Sequence, residues 1–180
     1  MKHCIVKSGL LLALLTCLLS VAGYPQAVRV SADSLTACIS SYIGKKVEVE
    51  GVVAHMCGVD GRKMKIQSAT GAEVEVIANE QLGSFDFSLN KKRVRVWGTV
   101  KEARIDGAFA DRMERDQALL CSIDSNPCKD SAWVERQRRN GTATDHSRQS
   151  IAKLRERIAA SGRGYLSITI VVADRVEVVE

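Results

Sequence analysis

Three side chains that could bind a metal ion lie close together in the segment AHMCGVDGRKMKI. His55, Cys57 and Met64 supply an imidazole, a thiol and a thioether, which are ligands that copper and zinc accept. His55 and Cys57 are two residues apart, so on a β-strand their side chains lie on the same face. The intervening GVDG can turn the chain and bring Met64 back towards them. The segment therefore predicts a copper or zinc site.

The same residues also fit a purely structural role, as the first hairpin of a small barrel without a ligand site. If the alternation of the strand runs through Gly51, His55 and Cys57 point into the core, but if Gly51 is a bulge they face solvent. The segment lacks the paired CxxC or HxxxH spacing on which a firm metal assignment rests. A structural hairpin and a metal, thiol or small-ligand site both stay open. In a ligand site, Arg62 and Lys63 would add positive charge.

The first 22 residues have the layout of a secretory signal peptide. Lys2 and Lys7 precede a short apolar run, and small residues follow at Ser20 and Ala22. The run is too short to span a membrane, and no later segment is apolar for long enough, so we expect no transmembrane anchor in the mature chain. Cleavage after Ala22 would leave a periplasmic or secreted protein. The bulky residues before Cys17 do not fit a lipobox, which argues against a lipoprotein.

Length and composition indicate one small exported domain. The chain has 180 residues and a formal net charge of +5, which cleavage would lower by two. So small a basic excess is not the charge pattern of a nucleic-acid-binding protein. After an N-terminal segment at 23–32, residues 33–180 suffice for one domain with its own core. Cys121 and Cys128 bracket the turn-like SIDSNP and are the easiest pair to join in a disulfide.

Alternating apolar and polar residues predict four strands ahead of a polar, arginine-rich segment. They are KKVEVEGVVAHM, RKMKIQS, AEVEVIA and KKRVRVWGTVKEARI, with internal glycines at Gly51 and Gly98. SADSLTACISSYIG predicts a short amphipathic helix before them, with Cys38 on its buried face. A helical insertion at about 107–163 precedes a fifth strand, YLSITIVVADRVEVVE, with a break near Ala173 and Asp174. Five strands, two of them with glycines where a sheet must curl, suit a closed Greek-key barrel.

The stretch YIGKKVEVEGVVAHMCGVDGRKMKI…VRVWGTVKEARID resembles the OB-fold domain of the tRNA-anticodon-binding-like type. In particular, it resembles small exported bacterial OB-fold proteins of unknown function whose first hairpin reads V-x-V-x-G-x-V-x-x-x-C…G. The resemblance covers roughly residues 34–106 and, more loosely, the helix and strand at 148–179. It implies an all-β core, a five-stranded Greek-key OB barrel with a short N-terminal helix and a helical insertion between strands 4 and 5. Those proteins often carry a second cysteine just after the GRK turn, where this chain has Met64.

Two classes of binding protein agree with this fold. One is an exported binding module for a small ligand, a metal ion or an envelope protein; the other binds single-stranded nucleic acid or oligosaccharide. Nucleic-acid binding by an OB-fold calls for aromatic rings on the second and third strands, and neither strand has one. The alternative nucleic-acid face is a row of outward residues on the fourth strand: Arg93, Arg95, Trp97 and Lys101. Glu48 and Glu50 on the first strand are placed to form ion pairs with this row, so we expect no nucleic-acid partner.

Catalytic motifs are absent from the sequence. It contains no G-x-S-x-G elbow, no phosphate loop and no Cys-His pair in a familiar context. Ser and Asp residues are scattered through segments with no base nearby. We therefore expect a binding protein and not an enzyme.

Overall fold

The structure is a computed structural model and describes residues 27–57 and 59–179. Its elements in chain order are β1 Val28–Arg29, α1 Ala32–Ala37, β2 Lys46–Met56, β3 Lys63–Gln67, β4 Glu73–Ala78, β5 Arg93–Asp106, α2 Gly107–Arg115, α3 Ser131–Arg139, α4 Ala143–Ala160 and β6 Tyr165–Val178. Short 3-10 turns lie at Ile39–Ser41 and Phe87–Leu89. The signal peptide predicted at 1–22 lies outside the described residues.

The six strands form one mixed sheet. Its hydrogen-bonded order is β1-β2-β3-β4-β6-β5, and β2 also pairs with β5. β4 runs parallel to β6 and β1 runs parallel to β2, whereas the other pairs are antiparallel. A mixed sheet with this order and a few helices is an OB-like fold, as the sequence predicts.

One strand of the sheet is not foreseen by the sequence. β1 lies in the predicted N-terminal segment and pairs Val28 with Val47 and Arg29 with Glu48 of β2. Two residues are too few to show a period-two pattern, so a strand of this length leaves no signal of its own. The sequence therefore predicts five strands where the structure has six.

The core lies on the inward face of the long strands. The side chains below 2% exposure include Leu35, Val47, Val49, Val53, Met64, Ile66, Val74, Val76, Val94, Val96, Val100 and Val171. β3, β5 and the first half of β2 alternate these residues with mostly polar ones, as the sequence predicts. Cys38 is exposed, and the prediction that it is buried is wrong. The reason is that α1 ends at Ala37 and the chain continues as a 3-10 turn, which shifts the helical face.

β6 contains a bulge where the sequence predicts a break. Opposite Trp97 and Gly98 of β5, β6 contributes one extra residue, Asp174, and then continues in register. The extra residue bends the strand without ending it. Gly98 lies at the closest approach of the two strands, because a side chain there would contact the backbone of Val172.

The predicted helical insertion is present between β5 and β6 as α2, α3 and α4. It packs on the end of the sheet through a second apolar cluster: Ile105, Ala110, Leu154, Ile158 and Ile168. Between α2 and α3 the chain forms a small hairpin at 119–128, here called the insertion hairpin. Its backbone bonds join Cys121 N–H to the Asn126 carbonyl and Cys128 N–H to the Leu119 carbonyl, both at 2.7 Å. Of the helices described, none is long and apolar enough to cross a membrane.

Candidate functional site

A bulge in β2 decides where His55 and Cys57 point. The register with β3 shifts between Val53 and His55, which leaves Ala54 as the extra residue. Val53 is therefore buried, whereas His55 is exposed and Cys57 is half-buried on the outer face. The bulge lies at Ala54 and not at Gly51, but it has the effect expected of a bulge, because it turns the His-x-Cys pair away from the core.

Met64 lies on the opposite face of the sheet from His55. It is 0% exposed and sits in the core, opposite Met56. The structure therefore does not bring the predicted metal ligands His55, Cys57 and Met64 together. β3 keeps its own alternation while the bulge shifts that of β2, so the two strands present these residues to different faces. Among the described residues, no three His, Cys, Asp or Glu side chains are grouped as metal ligands.

Cys121 and Cys128 of the insertion hairpin, and not Met64, lie near His55 and Cys57. His55, Cys57, Cys121 and Cys128 line one cavity of about 410 Å³, here called the thiol cavity, and Trp133 forms part of its wall. The four described cysteines are free thiols, and the Cys121–Cys128 disulfide stays a prediction. Burial raises the pKa of the Cys121 thiol, which is therefore protonated at neutral pH.

Lys63 joins the insertion hairpin to β3. Its ammonium group forms an ion pair with Asp124, which is buried. Burial disfavours the charged form of both groups. The contact with Asp124 nevertheless raises the pKa of Lys63, and the contact with Lys63, together with hydrogen bonds from Asn126, lowers the pKa of Asp124. The charge of Lys63 is thus already paired with a carboxylate of the same chain. Arg62 is exposed, and its backbone N–H donates to Asp60 Oδ1 at 2.9 Å.

Glu75 is a buried carboxyl group with an unmet hydrogen bond. It lies on the outer face of β4, where the insertion covers it, and is 4% exposed. Its Oε2 has no hydrogen-bond partner among the described residues. Burial raises the pKa of Glu75 to about 8, and the carboxylate of Asp124 acts in the same direction. The carboxyl group is therefore mostly neutral at pH 7.

Glu75 lines a second cavity, of about 310 Å³, here called the Glu75 pocket. The other polar residues that line it are Thr36, Lys65, Glu73, Arg157, Arg163, Ser167 and Thr169. Lys65 bonds Glu73 and the Ser122 carbonyl, each at 3.0 Å. Arg157 and Arg163 are exposed and form no ion pair within the part of the chain that the structure describes. The pocket thus combines a neutral carboxyl group with two guanidinium groups that lack acid partners.

A third cavity, of about 320 Å³, lies beside the other two. It shares Leu120, Cys121 and Ser122 with the thiol cavity, and Lys65, Glu73 and Arg157 with the Glu75 pocket. Lys153 also lines it, one helical turn before Arg157 on the same face of α4. The three neighbouring cavities follow the boundary between the outer face of β2–β4 and the insertion, and together they are here called the insertion groove.

The alternative nucleic-acid face on β5 is occupied by contacts within the protein. Arg95 pairs with Glu50 at 2.7 Å and with Glu48 at 3.3 Å. Trp97 Nε1 donates to Glu48 at 3.1 Å, and the guanidinium group of Arg175 lies 3.7 Å from the centre of the Trp97 ring. These are the cross-strand ion pairs that the sequence leads us to expect, with a cation covering the one ring. Arg93 and Lys101, at the ends of the row, are exposed.

No protein-family model matches the chain, and no curated protein matches it either. Solved structures do. The telomere capping protein Ten1 from Saccharomyces pombe is 14% identical, with 41% of this chain and 67% of that one covered and a TM-score of 0.32. The S. pombe Stn1–Ten1 complex is 14% identical, with 43% of this chain and 66% of that one covered and a TM-score of 0.33. A putative aspartyl-tRNA synthetase from Leishmania major Friedlin is 14% identical, with 47% of this chain and 18% of that one covered and a TM-score of 0.30.

These similarities correct one expectation. The sequence argues against a nucleic-acid partner, and that exclusion is wrong, because the similar structures are a telomere capping protein, its complex and an aspartyl-tRNA synthetase. They give no ligand to this chain, and they lend no support to the exported bacterial form of the resemblance. Which ligand the chain binds has to be argued from its own groove.

The sequence identifies part of the groove and misses the rest. It points to His55 and Cys57, and the alternation of AEVEVIA puts Glu75 on the outward face of its strand. What it does not show is that the insertion covers this face, which buries Glu75 and brings Arg157 and Arg163 beside it. The available signal is the regular spacing of Lys and Arg on one face of α4, which also fits an ordinary solvated helix.

Proposed function

We propose that this chain is a non-catalytic OB-fold module that binds single-stranded nucleic acid in the insertion groove. The observation that carries the proposal is a run of three cations, Lys153, Arg157 and Arg163, that line the groove with no acid partner among the described residues. The groove borders the outer face of β3 and β4 where the insertion packs against it. In OB-folds this face, on the second and third barrel strands, binds oligonucleotides and oligosaccharides.

In this proposal the five long strands form the closed Greek-key barrel that the sequence predicts. The additional pairing of β2 with β5 supports closure, because it joins the two ends of the order β2-β3-β4-β6-β5. A closed barrel leaves no free strand edge and holds the β3–β4 face at a constant curvature. The protein would act as residues 23–180, in the periplasm or outside the cell.

Two rings at the thiol-cavity end of the groove can stack on bases. His55 is exposed and Trp133 is half-buried, and both line the thiol cavity. Proteins that bind single strands combine a basic groove with aromatic rings, and each stacked base contributes ~1–3 kcal/mol. The groove therefore has cations along α4 and rings at one end.

We expect the affinity for a single-stranded oligonucleotide to fall steeply with salt, and Lys153→Ala/Arg157→Ala/Arg163→Ala to flatten that dependence. Each phosphate contact on a single strand contributes about 0.7 to the slope of log K against log salt, so the triple variant should lower the slope by about 2. Fluorescence anisotropy of a mixed-sequence strand over a salt series measures this.

The matched control removes the same charge elsewhere. Arg93, Arg112 and Arg115 are exposed and line none of the three cavities of the groove. Changing all three to Ala should preserve the wild-type affinity and most of the slope. An undiminished slope in the groove variant, or no binding by the wild-type protein, would contradict the proposal.

A second candidate function is the binding of a copper or zinc ion in the thiol cavity. The observation in its favour is that His55, Cys57, Cys121 and Cys128 line one cavity although they come from two distant segments. Thiolates and imidazole suit these ions. Metal binding would have to draw the donor atoms together and release the thiol protons, which makes it dependent on pH.

For the metal site we expect Cys57→Ser to abolish stoichiometric metal binding and Cys38→Ser to leave it intact. Loss of an outer-shell partner already costs about 10–100-fold in metal affinity, so loss of a ligand should cost at least about a hundredfold. Cys38 is exposed and lines no part of the thiol cavity, which makes it the matched thiol. Native mass spectrometry of protein purified without chelator, with a thiol count, gives the answer. A metal-free wild-type protein would exclude this function.

A further inference from the structure

We propose that the Glu75 pocket is a subsite for a phosphorylated sugar, in which Glu75 bonds a sugar hydroxyl and Arg157 and Arg163 bind the neighbouring phosphate. The inference rests on the proposed function, since single-stranded RNA presents a 2′-hydroxyl beside each phosphate along its length. A free sugar phosphate carries the same chemistry. The inference thus specifies RNA rather than DNA as the strand in the groove.

The unmet hydrogen bond of Glu75 is the first support. Buried polar atoms in folded proteins nearly always have partners, and Oε2 of Glu75 has none among the described residues although the side chain is 4% exposed. A neutral carboxyl group offers one O–H donor and an acceptor, and a hydroxyl group can match either. Because Oε2 has less than 1 Å² of exposed area, the carboxyl group would have to turn towards the pocket for a ligand hydroxyl to supply the missing bond.

The two arginines are the second support. Arg157 projects from α4, and Arg163 follows it in the turn before β6, where its guanidinium group lies 5.3 Å from the centre of the Tyr165 ring. Stacking on an aromatic ring limits the positions of a guanidinium group, and its planar fork then suits two phosphate oxygens. Both arginines line the same cavity as Glu75, so one ligand can contact all three.

The charge of the pocket excludes a cationic ligand. Lys65, Arg157 and Arg163 line it, against the carboxylate of Glu73, which Lys65 already pairs at 3.0 Å. An amine that approached Glu75 would meet two unpaired guanidinium groups. An anionic ligand with a hydroxyl group meets attractive charge and a hydrogen-bond partner together.

The size and position of the pocket agree with one unit of a longer chain. Its volume of about 310 Å³ lies at the lower end of the range for small-molecule sites. It adjoins the third cavity and shares the lining residues Lys65, Glu73 and Arg157 with it. A strand that lay along the insertion groove could therefore place one sugar in the pocket.

The test compares a single-stranded RNA, the DNA of the same sequence and ribose 5-phosphate, each with wild-type, Glu75→Gln and Glu75→Ala protein. We expect the wild-type protein to bind RNA about tenfold more tightly than DNA, the effect of one hydrogen bond to a buried partner. Glu75→Gln should retain the preference, since an amide can both donate and accept. Glu75→Ala should lose the preference, and a far-UV circular dichroism spectrum equal to that of the wild type shows that the variant is folded.

The outcomes separate the subsite from the proposed function. Equal binding of RNA and DNA by the wild-type protein, or a preference that survives in Glu75→Ala, overturns the subsite and leaves the groove function in place. Binding of ribose 5-phosphate that depends on Glu75, with no binding of either oligomer, supports the subsite and overturns the groove function. No binding of any of the three probes overturns both.

Discussion

The free energy of unfolding should fall by about 4 kcal/mol between about pH 5 and pH 9, and Glu75→Gln should remove most of that fall. The pKa of Glu75 rises from 4.5 to about 8 on folding, chiefly through burial. Between these values the folded protein holds a proton that the unfolded chain releases, so stability decreases as the pH rises. The contribution is complete below 4.5 and is lost by the time the pH passes 8.

Asp124 and Lys63, two charged groups near Glu75, change their charge outside this window. Asp124 raises the pKa of Glu75, while Lys63, Lys65 and Arg157 lower it. The pKa of Asp124 is lowered from 3.8, so the stability it contributes is lost in acid; that of Lys63 is raised from 10.5, so its contribution is lost in strong alkali. The fall between about pH 5 and pH 9 therefore reports Glu75.

Denaturant unfolding over a pH series measures the effect. Glu75→Gln keeps the size of the side chain and stays neutral, so its stability should change little over this range and should exceed that of the wild type at alkaline pH. Glu73→Gln is the matched control, because Glu73 precedes it by two residues on the outer face of β4 and is exposed. A fall of equal size in Glu75→Gln and in the wild type would show that Glu75 ionises normally in the folded protein.

Gly98→Ala should destabilise the protein by about 3 kcal/mol, the upper end of the usual cost of overpacking. A Cβ atom at this position would lie 2.7 Å from Val171 Cγ1 and 2.8 Å from the carbonyl carbon of Val172, with the carbonyl oxygen closer still. Two of these atoms are backbone and the third belongs to a fully buried side chain. The contact can be relieved only if β6 moves away from β5, which breaks the longest pairing in the sheet.

Gly107→Ala is the control for this substitution. Gly107 begins α2, and an added Cβ there would meet nothing within 4 Å. Alanine at a compatible position lowers the entropy of the unfolded chain, so we expect stability equal to the wild type or higher by about 0.5 kcal/mol. Thermal or denaturant unfolding compares the two variants. Wild-type stability in Gly98→Ala would contradict the close approach of β5 and β6 that the structure shows.

Local patterns in the sequence are enough to define the long strands and the order in which they follow one another. Val47 and Val49 alternate with Glu48 and Glu50, and this period of two depends only on neighbours along the chain. The same local signal places Glu75 on an outward face. The sequence likewise indicates α3, through Asp130 at its start and Gly141 after its end, and α4, through its apolar spacing and Gly162.

Which of these residues share a site depends on how distant parts of the chain pack together. A one-residue bulge at Ala54 turns His55 outward while Met64 stays in the core, and nothing in the local pattern fixes the position of that bulge. The burial of Glu75 comes from the insertion, held to the sheet by contacts such as Lys63 to Asp124 between residues 61 positions apart. Alternation shows which residues share a face, but what covers that face depends on contacts between distant parts of the chain, which a local pattern does not encode.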